Sequence, residues 1–302
     1  MYKQHNMPMK TREIHNHHMD STIWNDVKFR DDDIVIATYA KSGTTLVQNI
    51  VLQLIFDGDP SVNVIKAPWI DLRFPKPVSE KLEMIEKQTH RRSFKTHLQL
   101  DALPFSPIVK YIYIARDGRD MVWSMHNHLF RANDAFYEKV NDPAGLVGPT
   151  IDRPGPDIRE YFLEWLERDG YPLWPYWENI RTWWAARYLP NVKLLHFNDL
   201  KSDLPGSIRA IANFLAIDIN ESSWDRIVEH CTFDYMKRNA SHIMPGADFF
   251  FEGGAQAFIN KGTNGRWIDT LTEEDNRYYL ETAERELGKE CAHWLKNGHM
   301  HG

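Results

Sequence analysis

Along the chain, apolar positions first gather in Ile34-Val-Ile-Ala-Thr-Tyr39, a short run with hardly a polar break. Such a run predicts a strand buried on both faces. After a turn at residues 40–45, Leu46, Val47, Ile50, Val51, Leu54 and Ile55 recur at helical spacing. The same sequence of strand, tight turn and helix returns at residues 109–115, 116–120 and 121–129. A third strand is expected over residues 192–197, with a helix over 204–215. The segment Phe94-Lys95-Thr96-His97 reads as a strand end. Short strands alternating with helices predict an α/β fold, a single domain over residues 1–302 with a central parallel sheet flanked by helices.

Three stretches depart from this rhythm. Residues 1–21 are polar and His-rich, and are expected to form a loosely ordered arm. His15, His17 and His18 within it are read as solvated. Residues 134–176 carry Gly145, Gly148, Pro149, Pro154 and Pro156, too long for a plain connection. A lid or specificity loop fits such an insertion, and so does a structural excursion. From Thr272 to Leu295 the pattern predicts one helix. Thr272 and Asp275 resemble a capping box, with Asp in place of the usual Glu.

Composition narrows the class. The 302 residues carry 36 Lys and Arg against 42 Asp and Glu, a net charge of −6. A chain of this length buries a core without disulfide or metal staples, and its 11 tryptophans exclude general disorder. The acidic balance argues against duplex nucleic acid, which needs a basic face. Cys231 and Cys291 are in no metal-like spacing and are expected as two buried thiols in a reducing compartment. There is no secretory h-region and no run of about 18 apolar residues. A soluble cytoplasmic protein that does not engage a membrane is expected.

Candidate chemistry lies where the strands end. In Lys41-Ser42-Gly43-Thr44-Thr45, the glycine permits a tight turn. The next helix aims free N–H groups and its positive dipole end at that turn. The hydroxyls and Lys41 add donors suited to a phosphate, although a capped helix beside a surface lysine would read alike. It is not a Walker A loop, because the lysine precedes the only glycine. Lys95 and His97, two apart on an extended chain, share a face, and a cation beside a base suits hydroxyl attack on an anionic centre. Arg116, with Ser124 about one turn into the next helix, suits a second phosphate; a salt-bridged Arg/Asp turn is the competing reading. Asn260-Lys-Gly-Thr-Asn-Gly-Arg-Trp267 sets two glycines and two cations in one loop, which can wrap a phosphate or serve as a plain turn.

These four elements in this order resemble the cytosolic sulfotransferases, from about Ile34 to Trp267. The strongest pieces are Thr38–Thr45, Lys95-Thr96-His97-Leu98 and Arg116 with Ser124. Lys261-Gly262 with Gly265 and Trp267, and His230-Cys-Thr-Phe233 followed by Met236-Lys-Arg-Asn239, are similar to further family segments. The resemblance implies a P-loop-NTPase-like layout with a phosphosulfate-binding strand-turn-helix. It implies 3′-phosphoadenosine 5′-phosphosulfate (PAPS) as co-substrate, adenosine 3′,5′-bisphosphate (PAP) as product, no metal, and a small-molecule acceptor. By the same resemblance, Lys41, Ser42, Gly43, Thr44 and Thr45 hold the 5′-phosphate and sulfate. Lys41 also stabilises the leaving group, His97 is the general base, and Lys95 supports the sulfuryl group in flight. Arg116, Ser124, Asn260, Lys261 and Gly262 bind the 3′-phosphate, while Thr232 and Phe233 contact the nucleoside.

The chain departs from the family at several points. Ala40 replaces a usual Pro, Leu46 a Trp that stacks on adenine, Phe197 a Tyr, and Asn260 an Arg. The family's dimer motif is not recognisable in residues 268–276, which leaves the oligomeric state open. Two other functions stay on the table: a nucleotide-dependent phosphotransferase, and a non-catalytic PAP-binding protein. A small hydrophobic alcohol or phenol is the expected acceptor, with a carbohydrate as rival. Residues 136–137, 161–165, 171–177 and 249–251 supply aromatics for its pocket or for the core. Lys41, Lys95, Arg116, Lys261, Arg119 and Arg266 are expected to converge on that one pocket, despite the net negative charge.

Overall fold

The computed structural model describes residues 7–142 and 150–299. Its centre is a four-stranded parallel sheet in the order β2-β1-β3-β4. The strands are β1 (Ile34–Thr38), β2 (Ser93–Thr96), β3 (Lys110–Ala115) and β4 (Val192–His196). All five residues of β1 are buried, as a strand covered on both sides requires. The period-2 alternation sorts them into two layers. Ile34 and Ile36, with Ile112 and Ile114 of β3, pack against helix α1 (Thr44–Ile55) and the helix Leu204–Leu215. Val35 and Ala37, with Tyr111 and Tyr113, face a larger and more aromatic layer that includes Trp165, Trp177 and Trp183.

The chain leaves β1 to build β2 on one side and then β3 on the other. The crevice at the carboxyl end of β1 is therefore a topological switch point, where open α/β sheets place ligands. The register aligns the ends: Ala37 pairs with Thr96, Thr38 with Ile114, and Ala115 with His196. His97 and Arg116 each follow directly on a strand end at this edge.

Three expectations need correction. Residues 7–21 are not a loose arm: His17 and His18 are largely buried and Met19 is fully so. Main-chain pairing holds them, with Met19 bridging Leu72 and the Arg73 N–H donating to the His18 carbonyl at 2.7 Å. A polar composition does not reveal such backbone pairing. The terminal segment is two helices, Glu273–Leu287 and Lys289–Asn297, because Gly288 takes a left-handed φ of 75° between them. The Thr272–Asp275 capping box is formed in both directions. The third correction concerns Arg119 and belongs to the site. Within the 134–176 insertion, Asp134–Val140 and Ile158–Glu167 are helices, while Gly145, Gly148 and Pro149 lie outside the described residues.

Candidate active site

The turn after β1 is a backbone device. Lys41 and Gly43 have φ of 65° and 118°. A Cβ on Gly43 would come within 2.9 Å of both Ile114 and Phe197, so conformation and space both demand glycine. Helix α1 begins at once, and no side chain caps its N-terminus. Its first N–H groups and positive dipole end therefore face the turn. The Ser42 Oγ is buried without a hydrogen-bond partner. A turn with this many unused donors fits an anion.

One cavity of about 890 Å³ opens over this edge. Of the residues expected at the site, Lys41, Gly43, Thr44, Thr45, Lys95, His97, Arg116, Ser124, Thr232, Phe233, Asn260, Lys261 and Gly262 line it, and Arg266 does too. Ser42 is buried and does not line the cavity. Arg119 does not line the cavity. It forms a paired contact with Asp117, at 2.7 and 3.0 Å, and lies 3.8 Å over the Trp267 ring. At Arg119 the salt-bridged turn is realised, because an arginine at the first turn of the helix Gly118–Phe130 reaches its own N-cap carboxylate.

His97 is fixed on every side. Its Nδ1 lies 2.8 Å from the Thr38 carbonyl; donation to that oxygen assigns the proton to Nδ1 and leaves the Nε2 lone pair to act as a base. Thr38 Oγ1 is 3.0 Å from the same nitrogen and 2.7 Å from Thr44 Oγ1. The Lys41–Thr45 turn and His97 are thus joined by two hydroxyls. The imidazole sits between Trp69, edge-on at 4.7 Å, and Trp174, stacked at 5.7 Å. Burial first, then Lys95, holds its pKa well below the ordinary imidazole range, so the ring is neutral at pH 7.

The two lysines are also held by rings. Lys41 Nζ lies 4.0 Å over Phe258 and 3.4 Å from His128 Nδ1. Lys95 Nζ lies 4.2 Å over Trp69, whose indole N–H donates to the buried Asp71. Burial pulls Lys41 down to about 7, aided by Lys95 and Arg116, and pulls Lys95 down to about 8. Arg116 donates to Asn264 Oδ1 at 2.7 and 3.0 Å and to the Thr263 carbonyl at 2.9 Å. Its guanidinium stacks 4.5 Å over Phe197, and burial lowers it to about 10. It therefore ties the end of β3 to the late loop. In that loop, the space a Gly262 Cβ would need is taken by the Phe233 ring at 2.6 Å.

Several site residues escape the sequence reading. Lys201 reaches the Gly262 carbonyl at 2.6 Å, and His18, Trp69, His128 and Phe258 line the cavity. His128 was findable: it stands four residues after Ser124 on one helix, hence on the same face. Of the aromatic stretches, Phe136, Trp174, Phe250 and Phe251 face the cavity. Trp165 packs against Tyr176, Tyr171 lies under Arg168, and Phe249 is exposed.

The whole chain can then be set beside known proteins. Residues 31–290 match the family model described as the sulfotransferase domain. The glycolipid sulfotransferase Rv1373 of Mycobacterium tuberculosis is 30% identical over 299 residues, 90% of each chain. Rat sulfotransferase 1A1 is 30% identical over 258 residues, 82% of each chain. Retinol dehydratase, solved with androsterone and the inactive cofactor PAP, superposes with a TM-score of 0.64 at 26% identity, covering 88% of this chain and 83% of that one. Mouse SULT7A1, solved with PAP, shares the fold with a TM-score of 0.68 at 23% identity, over 91% and 92% of the two chains. With the Lys41–Thr45 turn, Lys95, His97 and Arg116 gathered at one cavity, the chain belongs to the sulfotransferase family and is an enzyme of sulfuryl transfer.

Proposed function

We propose that this enzyme transfers the sulfuryl group of PAPS to a hydroxyl of a small, largely apolar acceptor, with His97 as general base. The observation that carries the reading is the single cavity in which the Lys41–Thr45 turn and the Lys95–His97 pair meet. PAPS supplies the sulfuryl group and a good leaving group, its 5′-phosphate. The uncapped N-terminus of helix α1, with Thr44 and Thr45 facing the cavity, fits that phosphate. His97 Nε2 takes the acceptor proton as the acceptor oxygen bonds to sulfur. The bond from sulfur to the bridging oxygen breaks, and Lys41 meets the charge left on that oxygen. Lys95 faces the equatorial oxygens. Arg116, Ser124, Asn260, Lys261 and Gly262 receive the 3′-phosphate, and Thr232 and Phe233 the nucleoside.

The acceptor side is supported by Trp69, Phe136, Leu173, Trp174 and Phe250, a wall suited to an apolar body. A second reading, a glycolipid acceptor, is favoured by the mycobacterial relatives. Cytoplasmic residence is supported by Cys231 and Cys291, both buried free thiols. Among the described residues no helix is long and apolar enough to cross a membrane.

The test is transfer from sulfur-labelled PAPS to a panel of phenols, alcohols, amines and glycolipids, with PAP affinity measured by calorimetry. Turnover with phenols or alcohols supports the first reading, and turnover confined to glycolipids the second. PAP binding without any turnover would mark a non-catalytic binder. Magnesium-dependent ATP binding in its place would mark a phosphotransferase.

A further inference from the structure

Among the described residues the transfer chemistry leaves two cavity histidines unused; His128 lies against Lys41, whereas His18 meets no polar side chain at its Nδ1. It is 8% exposed, its Nδ1 is buried, and no hydrogen-bond partner reaches that atom. An orphaned polar atom in a folded interior costs stability, and native chains retain few of them without a reason. Its backbone is firmly placed: the N–H donates to Asn16 Oδ1 at 3.0 Å and the carbonyl accepts from Arg73. The ring therefore cannot be dismissed as a side chain on a moving arm.

The surroundings narrow what it awaits. Trp69, Phe74, Phe136 and Trp174 stand 5.8 to 6.2 Å from the imidazole, centroid to centroid. Burial first, then His17, Arg73 and Lys95, brings its pKa down to about 3. A neutral imidazole offers one donor and one acceptor. A charged partner would be stranded among four rings, whereas a hydroxyl can give to one ring nitrogen or take from the other. Trp69 and Trp174 also flank His97, so the two imidazoles share both indoles as neighbours. A group that meets His18 thus lies in the same part of the cavity as the hydroxyl that meets His97.

We propose that His18 is a specificity residue that binds a second hydroxyl of the acceptor, so that the preferred acceptors are small molecules carrying two hydroxyls. This rests on the sulfuryl-transfer reading above and adds to it a selection among acceptors. A site built to hydrogen-bond a hydroxyl discriminates against the analogue that lacks it.

The test compares catechol, resorcinol and hydroquinone with the three matching cresols, in which a methyl group replaces one hydroxyl. Both kcat/KM with PAPS and affinity for the protein–PAP complex are measured, for wild type, His18→Phe and His18→Gln. Wild type is expected to favour at least one diol over its cresol by about tenfold, beyond the factor of two that two equivalent hydroxyls give. His18→Phe should reduce that ratio to about the statistical factor, and His18→Gln should restore part of it. His18→Phe should also melt higher, because a ring of similar shape replaces an unsatisfied one. An unchanged ratio in His18→Phe, or equal use of diols and cresols by wild type, would overturn the proposal. Should no acceptor turn over while PAP binds, the transfer reading fails instead, and the affinity ratios still decide the role of His18.

Discussion

The two halves of the cavity are built by opposite means. The donor half is made of main chain: a left-handed lysine, a glycine pinned between Ile114 and Phe197, an uncapped helix and a loop laced to Arg116. The acceptor half is made of rings, brought from residues 18, 69, 136, 174 and 250. Anion recognition depends on backbone positions that only certain residues can occupy, so it tolerates little change. Apolar recognition depends on summed contact, which many sets of side chains can supply. The seam between the halves is His97, wired to the turn by Thr38 and Thr44 and clasped by two indoles.

The strongest way to probe that seam is His97→Ala. It is expected to lower kcat by about 10²–10⁴-fold while PAP affinity by calorimetry stays near the parent value. A normal rate would assign the base elsewhere. Next in size is Arg116→Ala, confined to the donor half. Loss of a charge-assisted contact of about 1.5–3 kcal/mol should weaken PAP by about 10- to 100-fold, and unaltered binding would remove Arg116 from the 3′-phosphate site.

Proton linkage sharpens the contrast further. Lys41 sits near 7 and Lys95 near 8 in the ligand-free protein. A bound anion favours their charged forms, so binding takes up protons wherever the amines are partly neutral. PAP affinity should therefore fall as pH rises through 7 and 8, by up to about tenfold per unit for each proton taken up. Calorimetry at pH 8 in buffers of different ionisation enthalpy reads the uptake directly, and a null result would mean fully charged lysines. The smallest effect is expected from Leu46→Trp, which returns the family's stacking ring to a cavity-lining position. It should tighten PAP only a few-fold, from about 0.5–1.5 kcal/mol of stacking.

The same contrast explains what could be read in advance. β1 and β3 are legible because a strand covered on both faces has no polar alternation to confuse it. Lys41, Lys95, His97 and Arg116 are legible as one cluster because short motifs at neighbouring strand ends fold to one cavity. Arg119 misleads because nearness in sequence to Arg116 does not fix direction; its side chain turns back to Asp117. His18, Trp69 and Phe258 stay hidden because each comes from a different segment, and only the folded sheet edge gathers them. The burial of His17, His18 and Met19 is invisible for a related reason, since main-chain pairing with residues 71–73 leaves no mark in side-chain composition.

Lys41 carries a further consequence. A left-handed backbone costs a residue with a side chain roughly 1–2 kcal/mol, and its ammonium is desolvated as well. Both burdens vanish in Lys41→Gly. That variant is expected to melt a few degrees higher than the parent in a calorimetric scan and to transfer no sulfuryl group. Thermal selection for stability alone would therefore discard this lysine, and its persistence would require selection for turnover.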